Sequence, residues 1–178
     1  MHYLDLFRFC PVCGTRRLVE NDFKSKRCEE CGFVYYFNAA AAVACFVENE
    51  KGELLMCRRA CNPAKGTLDI VGGFVDPEES STCAMVREMK EETGLDIAEA
   101  DLQFLFSLPN VYEYSGMTIH SCDSFFRVTI PADAELKAQD DVAELMWMRK
   151  EGIDTEEIGL KSIRMATEKY LQNHKNTK

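Results

Sequence analysis

Positive charge is scarce in this chain. Its 178 residues carry 21 Lys and Arg against 30 Asp and Glu, a formal net charge of −9, so the global field repels nucleic acid, anionic membrane and free nucleotide alike. That balance argues against a broad nucleic-acid surface, and any anionic substrate has to be met by local cations. Long apolar runs are lacking too. None reaches the ~18 residues of a membrane span, and residues 1–9, with Asp5 and Arg8 among hydrophobics, lack the organisation of a signal peptide. The expected location is the cytoplasm, with no membrane partner. Histidine is limited to His2, His120 and His174, which form no constellation with thiols or carboxylates and are assigned to no metal. The lone Trp147 ends a strand pattern and is expected in the core. There is no internal repeat and no low-complexity linker.

What the chain does have is material for a core. With 46% hydrophobic residues, it can bury one substantial core plus a small appendage. Nine cysteines raise the question of disulfides. An odd count, with four in C-x-x-C pairs and the others scattered through apolar runs, fits a reducing compartment better.

The first zone, residues 1–36, is built around Cys10-Pro11-Val12-Cys13 and Cys28-Glu29-Glu30-Cys31. Four thiolates satisfy tetrahedral Zn²⁺, and each pair, followed by Gly14 or Gly32, can turn its backbone to offer two sulfurs to one ion. The reading is a small structural zinc ribbon. A thioredoxin-like redox pair would need a βαβ context, and two disulfides would need an oxidising compartment. A module of about 36 residues cannot easily build a self-sufficient core, so zinc would supply much of its folding energy. Arg16, Arg17, Lys24, Lys26 and Arg27 make it basic, as solvated loops or as a nucleic-acid reader. Phe33, Tyr35 and Tyr36 are expected to pack the ribbon onto the next domain rather than stack on bases.

In the second zone, residues 37–178, the stretches 39–47 and 53–57 around a turn at Glu50-Lys51-Gly52 read as a strand pair, and 68–71 as a third short strand. Arg58 and Arg59 follow the second strand. Ser80 is a plausible N-cap for a helix ending at Thr93, with Gly94 as its stop. Thr82, Met85, Val86, Met89 and Thr93 form its core-facing stripe. Strand candidates at 102–108 and 123–130 flank a loop at 109–116. Another at 144–148 precedes an amphipathic helix in which Ile163, Ala166, Tyr170 and Leu171 keep helical spacing.

Glu88, Glu91 and Glu92 stand at i, i+3 and i+4 on one helix face. Like charges at i and i+4 disfavour a helix by roughly 0.2–0.5 kcal/mol per pair, and Arg87 compensates only one of the three. A divalent cation is the natural remedy. Just upstream, Gly72-Gly73 permits a tight turn with a backbone carbonyl facing that metal. From Gly73 through Glu79 to Leu95 the chain resembles the Nudix box, G-x5-E-x7-R-E-U-x-E-E-x-G-U with U apolar, and every fixed position is filled. If each residue type occurs at roughly one position in fifteen, seven such identities arise by chance on the order of once in 10^8 starts. An isolated E-x-x-E-E commonly marks a solvated helix end; Gly73, Glu79 and Gly94 weigh against that here.

The resemblance implies an α/β fold, the Nudix α/β/α sandwich with a mixed sheet. It also implies Mg²⁺ or Mn²⁺ on Glu88, Glu91, Glu92 and the Gly72 carbonyl, with Glu79 in support and Arg87 orienting the carboxylates. Such cations neutralise a diphosphate and lower the pKa of bound water. Glu88 in the box, or Asp140, Asp141 or Glu144 outside it, would take the proton. The order of cysteine pairs, Tyr35-Tyr36, apolar strand and box is similar to the NADH pyrophosphatase branch. Where that branch carries an S-Q-P-W-P-F-P-type stretch, this chain reads Ser107-Leu108-Pro109-Asn110-Val111-Tyr112-Glu113-Tyr114-Ser115-Gly116. That segment looks more like the shorter zinc-ribbon proteins called ADP-ribose pyrophosphatase-like. The expected substrate is a nucleoside diphosphate linked to another moiety, ADP-ribose or a related adenine dinucleotide. Tyr112 and Tyr114 would stack on the base, and Arg58, Arg59, Lys65 or Arg127 would meet phosphates. The tyrosines equally suit loop packing or a dimer partner. NADH or NAD-capped RNA hydrolysis, and nucleotide sensing without turnover, stand as alternatives.

Overall fold

The computed structural model describes residues 3–114 and 116–175. Its strands are β1 (Leu18–Asp22), β2 (Ser25–Cys28), β3 (Val34–Tyr36), β4 (Ala40–Asn49), β5 (Leu54–Arg59), β6 (Leu68–Asp69), β7 (Val71–Phe74), β8 (Gln103–Tyr114), β9 (Met117–Ile130) and β10 (Val142–Met148). The helices are α1 (Ser81–Thr93) and α2 (Lys161–Lys175). The chain divides into two compact units, Met1–Ala40 with Val111–His120, and Ala41–Asn110 with Ser121–Lys178.

In the first unit β1, β2 and β3 form an antiparallel sheet. Its core consists of Cys10, Leu18 and Cys28 with Phe7 and Phe33 against them. Tyr35 packs within the ribbon, its ring 5.2 Å from that of Phe7, and Tyr36 is exposed. The stretch expected as a loop at 109–116 is instead the meeting of β8 and β9, and the tip clusters with the ribbon. Residues 117–120 are all half-buried, so the strand is partly covered on both faces rather than alternating.

In the second unit the sheet order is β10-β5-β4-β9-β8, with β6 on β5 and β7 on β4. The alanine run of β4 favours helix locally, but residues 43–49 are buried on both faces, and that tertiary setting overrides propensity. Val43, Cys45 and Val47 join one core with Ala84, Met85 and Met89 of α1. Ala44 and Phe46 join the other with Ile163, Ala166 and Tyr170 of α2. The result is the expected α/β/α layering.

Helix α1 begins where the Ser80 hydroxyl accepts from the Cys83 amide at 3.1 Å, and Gly94, with φ of 77°, ends it by donating to the Lys90 carbonyl. Its buried face differs from the apolar stripe read from the sequence. Ala84, Met85, Glu88, Met89, Glu92 and Thr93 are buried, while Thr82 and Val86 are half-buried. Two of the carboxylates thus occupy the core face.

Far along β4, buried Glu48 accepts from the Tyr170 hydroxyl at 2.7 Å and also pairs with Lys150 and Arg127. The Tyr170 ring stacks on Phe46 at 4.1 Å. Urea denaturation is expected to show Tyr170→Phe destabilising the fold by about 2 kcal/mol, for one lost donor to a carboxylate. Tyr170→Ala should cost about 3–5 kcal/mol through the cavity it leaves.

Candidate active site and zinc ribbon

Strand β7 pairs with β4 so that Gly72 faces Ala44 and Gly73 faces Val43. A Cβ on Gly72 would lie 2.2 Å from the Val43 carbonyl oxygen, and one on Gly73 would lie 2.2 Å from Glu88 Oε1. The glycines therefore serve close approach within a strand, not the tight turn expected from the sequence. In the room they leave, Glu88 rests against Gly73, and the Gly72 N–H donates to Glu92 Oε2 at 3.0 Å.

Arg87 is the hub of the box. Its Nε and Nη2 donate to the two oxygens of Glu79 at 3.1 and 3.0 Å. Its Nη1 donates to Glu88 at 2.8 Å and Glu91 at 2.9 Å, and Nη2 reaches the Phe74 carbonyl at 2.9 Å. The Arg87 hydrogen bonds hold Glu79 below its usual carboxylate range. They do not offset burial elsewhere. Desolvation pushes Glu88 up, and Glu92 is pushed up to about 9, first by burial and then by Glu88, Asp69 and Asp141 nearby. Negative charge in excess of its protein partners, offered by hard oxygen donors, suits Mg²⁺ or Mn²⁺.

The segment before β10 is tied to the end of α1, Lys137 N–H to the Thr93 carbonyl at 2.9 Å and Gln139 N–H to the Glu92 carbonyl at 3.1 Å. Asp140 follows with a φ of 49°, a left-handed conformation that Asp tolerates better than most residues. This brings Asp140 near enough to Glu88, and Asp141 to Glu92, to raise their pKa values. Glu144 lies opposite Arg58 on the neighbouring strand, with an ion pair of 3.8 Å.

Of the candidate phosphate-binding cations, the three arginines have protein partners. Arg58 donates to the Gly66 carbonyl at 3.0 Å and pairs with Glu144 and Glu157. Arg59 donates to the Pro63 carbonyl at 2.8 Å and to Asp69 at 2.5 Å. Arg127 faces Glu48 at 3.5 Å, and Lys65 is exposed. The side chains of Tyr112 and Tyr114 lie outside the described residues. Asp69 went unremarked in the sequence; its signal was a single charge inside an apolar strand.

In the ribbon the Sγ atoms of Cys10, Cys13, Cys28 and Cys31 all lie within 4.8 Å of one another. Cys10 to Cys31 is 3.7 Å and Cys13 to Cys28 is 3.6 Å. Tetrahedral thiolates at about 2.3 Å from zinc stand roughly 3.8 Å apart, whereas a disulfide needs about 2.05 Å. Each knuckle closes through a glycine, Gly14 N–H to the Cys10 carbonyl at 2.9 Å and Gly32 N–H to the Cys28 carbonyl at 3.0 Å, both with positive φ. The Cys31 amide, foremost among its partners, lowers Cys28 to about 7 and favours the thiolate. The four sulfurs fit zinc.

Residues 38–169 match the NUDIX domain family, and the chain belongs to it. The NAD-capped RNA hydrolase NudC of Deinococcus radiodurans is 27% identical over 133 residues, 73% of this chain and 46% of that protein. The ADP-ribose pyrophosphatase of Methanocaldococcus jannaschii is 36% identical over 109 residues, 61% of each chain. The chain thus spans about half the length of the curated relatives it matches. A NUDIX hydrolase from Nitrosomonas europaea shares the fold with a TM-score of 0.69 at 21% identity, covering 95% of this chain and 93% of that one. Nudix hydrolases use divalent metals and act on small-molecule nucleotides. No helix among the described residues is long and apolar enough to cross a membrane.

Metal analysis of protein purified without added zinc is expected to find one zinc per chain, lost in Cys28→Ser; disulfides between the pairs would contradict this. Glu92 supplies a second test. Its folded pKa of about 9 lies well above the ordinary glutamate value of about 4.3, so between these values the folded state binds a proton that the unfolded state lacks. Its contribution to stability therefore falls as pH rises through that window. Without Mg²⁺ the melting temperature should fall less steeply in Glu92→Gln than in wild type. The stabilisation that added Mg²⁺ gives the wild type should grow from pH 6 to 9, because a proton leaves as the metal binds.

Proposed function

We propose that this chain is a pyrophosphohydrolase that cleaves the diphosphate bridge of ADP-ribose or a related adenine dinucleotide. The observation that carries this reading is the complete carboxylate set beside the glycine pair of β7, with Glu88 and Glu91 held by Arg87 and Glu92 by the Gly72 amide. Bound Mg²⁺ or Mn²⁺ supplies charge neutralisation of the diphosphate and a water of lowered pKa. Glu88, Glu91, Glu92 and the Gly72 carbonyl would hold the metal. Arg87 keeps Glu88 and Glu91 turned together, and Glu79 fixes Arg87. Glu88, Asp140 or Asp141 takes the proton from the attacking water. Lys65 or Arg58 meets the phosphates. The products from ADP-ribose are AMP and ribose 5-phosphate.

A second reading, hydrolysis of NADH or NAD-capped RNA, is favoured by the NudC relatives. The net charge of −9 opposes an RNA substrate. The intact carboxylate set opposes a sensor without turnover. Nine free cysteines, four of them placed to hold zinc, suit the cytoplasm.

Glu91→Gln and Glu92→Gln are each expected to lose on the order of 10³-fold in kcat, several kcal/mol of transition-state stabilisation. A panel of ADP-ribose, NADH, NAD⁺, FAD, diadenosine polyphosphates and NAD-capped RNA, assayed with Mg²⁺ and Mn²⁺, assigns the substrate. Near-normal turnover in both variants would remove the catalytic assignment, and faster turnover of nucleoside triphosphates would remove the substrate class alone.

A further inference from the structure

Glu92 is anchored at two points. The Gly72 N–H holds its carboxylate at 3.0 Å, and its main-chain carbonyl accepts from the Gln139 N–H at 3.1 Å. The first anchor depends on the path of residues 69–72 and the second on residues 139–142. These paths meet through one residue. Arg59 lies opposite Val142 in the sheet, and the adjoining Ala60 N–H donates to the Asp141 carbonyl at 2.8 Å. The Arg59 guanidinium turns inward to Asp69 at 2.5 Å, and the other oxygen of Asp69 accepts from the Ile70 N–H at 2.8 Å. Two residues further on, Gly72 returns to Glu92.

We propose that Arg59 and Asp69 are positioning residues that close this ring of contacts around Glu92, and that Arg59 serves catalysis through Asp69 rather than through substrate. The inference rests on the pyrophosphohydrolase reading. Both side chains are well covered, 17% and 8% exposed. Taking such a pair out of water costs about as much as its attraction returns, so stability alone does not account for it. Its geometry does. The planar guanidinium bonds the Asp69 carboxylate and the Pro63 carbonyl at 2.8 Å at once, an arrangement that lysine's point charge does not reproduce. The fork fixes the floor of the 60–66 loop, whose base closes through Arg59 N–H to the Thr67 carbonyl at 3.1 Å and Gly66 N–H to the Arg59 carbonyl at 2.9 Å. Loosening it lets Gly72 and Asp141 drift relative to Glu92. A misplacement of about 1 Å at reacting groups costs on the order of 10²-fold.

The test compares Arg59→Lys, Asp69→Asn and the double variant by kcat, KM for ADP-ribose, and Mn²⁺ affinity measured calorimetrically without nucleotide. Each single variant is expected to lower kcat about 10–100-fold, weaken Mn²⁺ binding and leave KM within about threefold. The double should be no worse than the more damaging single, because the two act as a unit. An Arg59→Lys change that raises KM tenfold or more, with Asp69→Asn near wild type, would overturn the proposal and make Arg59 a phosphate contact. Multiplying losses would overturn it too. Should the polar variants fail to fold, Arg59→Met with Asp69→Leu replaces the pair by apolar groups that cores generally accept. That variant is expected to melt near wild type and still lose kcat and Mn²⁺ affinity; full activity would refute the ring. A wild type inactive on ADP-ribose refutes the substrate reading alone, since the Mn²⁺ titrations still decide the ring.

Discussion

Two carboxylates buried against a sheet are the constraint around which the second unit is arranged. Glu88 and Glu92 sit on the core face of α1, where an unpaired charge is costly and a neutral acid is the default. Gly72 and Gly73 carry no side chain because the β4 backbone and the Glu88 carboxylate already fill that space. Arg87 spends its whole guanidinium on Glu79, Glu88, Glu91 and one carbonyl. Glu92 accepts from the Gly72 amide and has a raised pKa. The site is incompletely neutralised by protein groups, and a rigid support keeps it so. The two cores on either side of β4 supply that rigidity.

Much of this was legible in the sequence, and the reason differs between elements. Helix α1 was found to within a residue at both ends because capping is local: a hydroxyl and a glycine at a fixed spacing decide it. The cysteine knuckles and the box were legible because metal chemistry demands particular residue types at particular intervals. The parts that were misread depend on distant partners. Nothing near Gly73 says that a glutamate fifteen positions later will rest against it, so the glycine pair suggested a turn. Amphipathic patterning likewise leaves Glu88 and Glu92 out of the core-facing stripe, because it treats charge as a property of surfaces. The segment around Pro109 and Gly116 reads as a loop by its turn residues, yet strand pairing carries β8 and β9 almost to its tip. Arg58 and Arg59 are adjacent cations in sequence with separate partners, since alternate strand positions face opposite sides of a sheet.

The composition of the first unit bears on how the chain is assembled as it is made. The four thiols appear by Cys31, whereas Val111–His120, which clusters with them as part of the same unit, follows about eighty residues later. Zinc can therefore organise the knuckles while most of the chain is still to be synthesised, but the unit they belong to has to wait for a hairpin whose strands also build the other sheet. Folding order and chain order part company here. A metal captured early would keep the small, core-poor sheet of β1, β2 and β3 in register until the rest of its unit has been made.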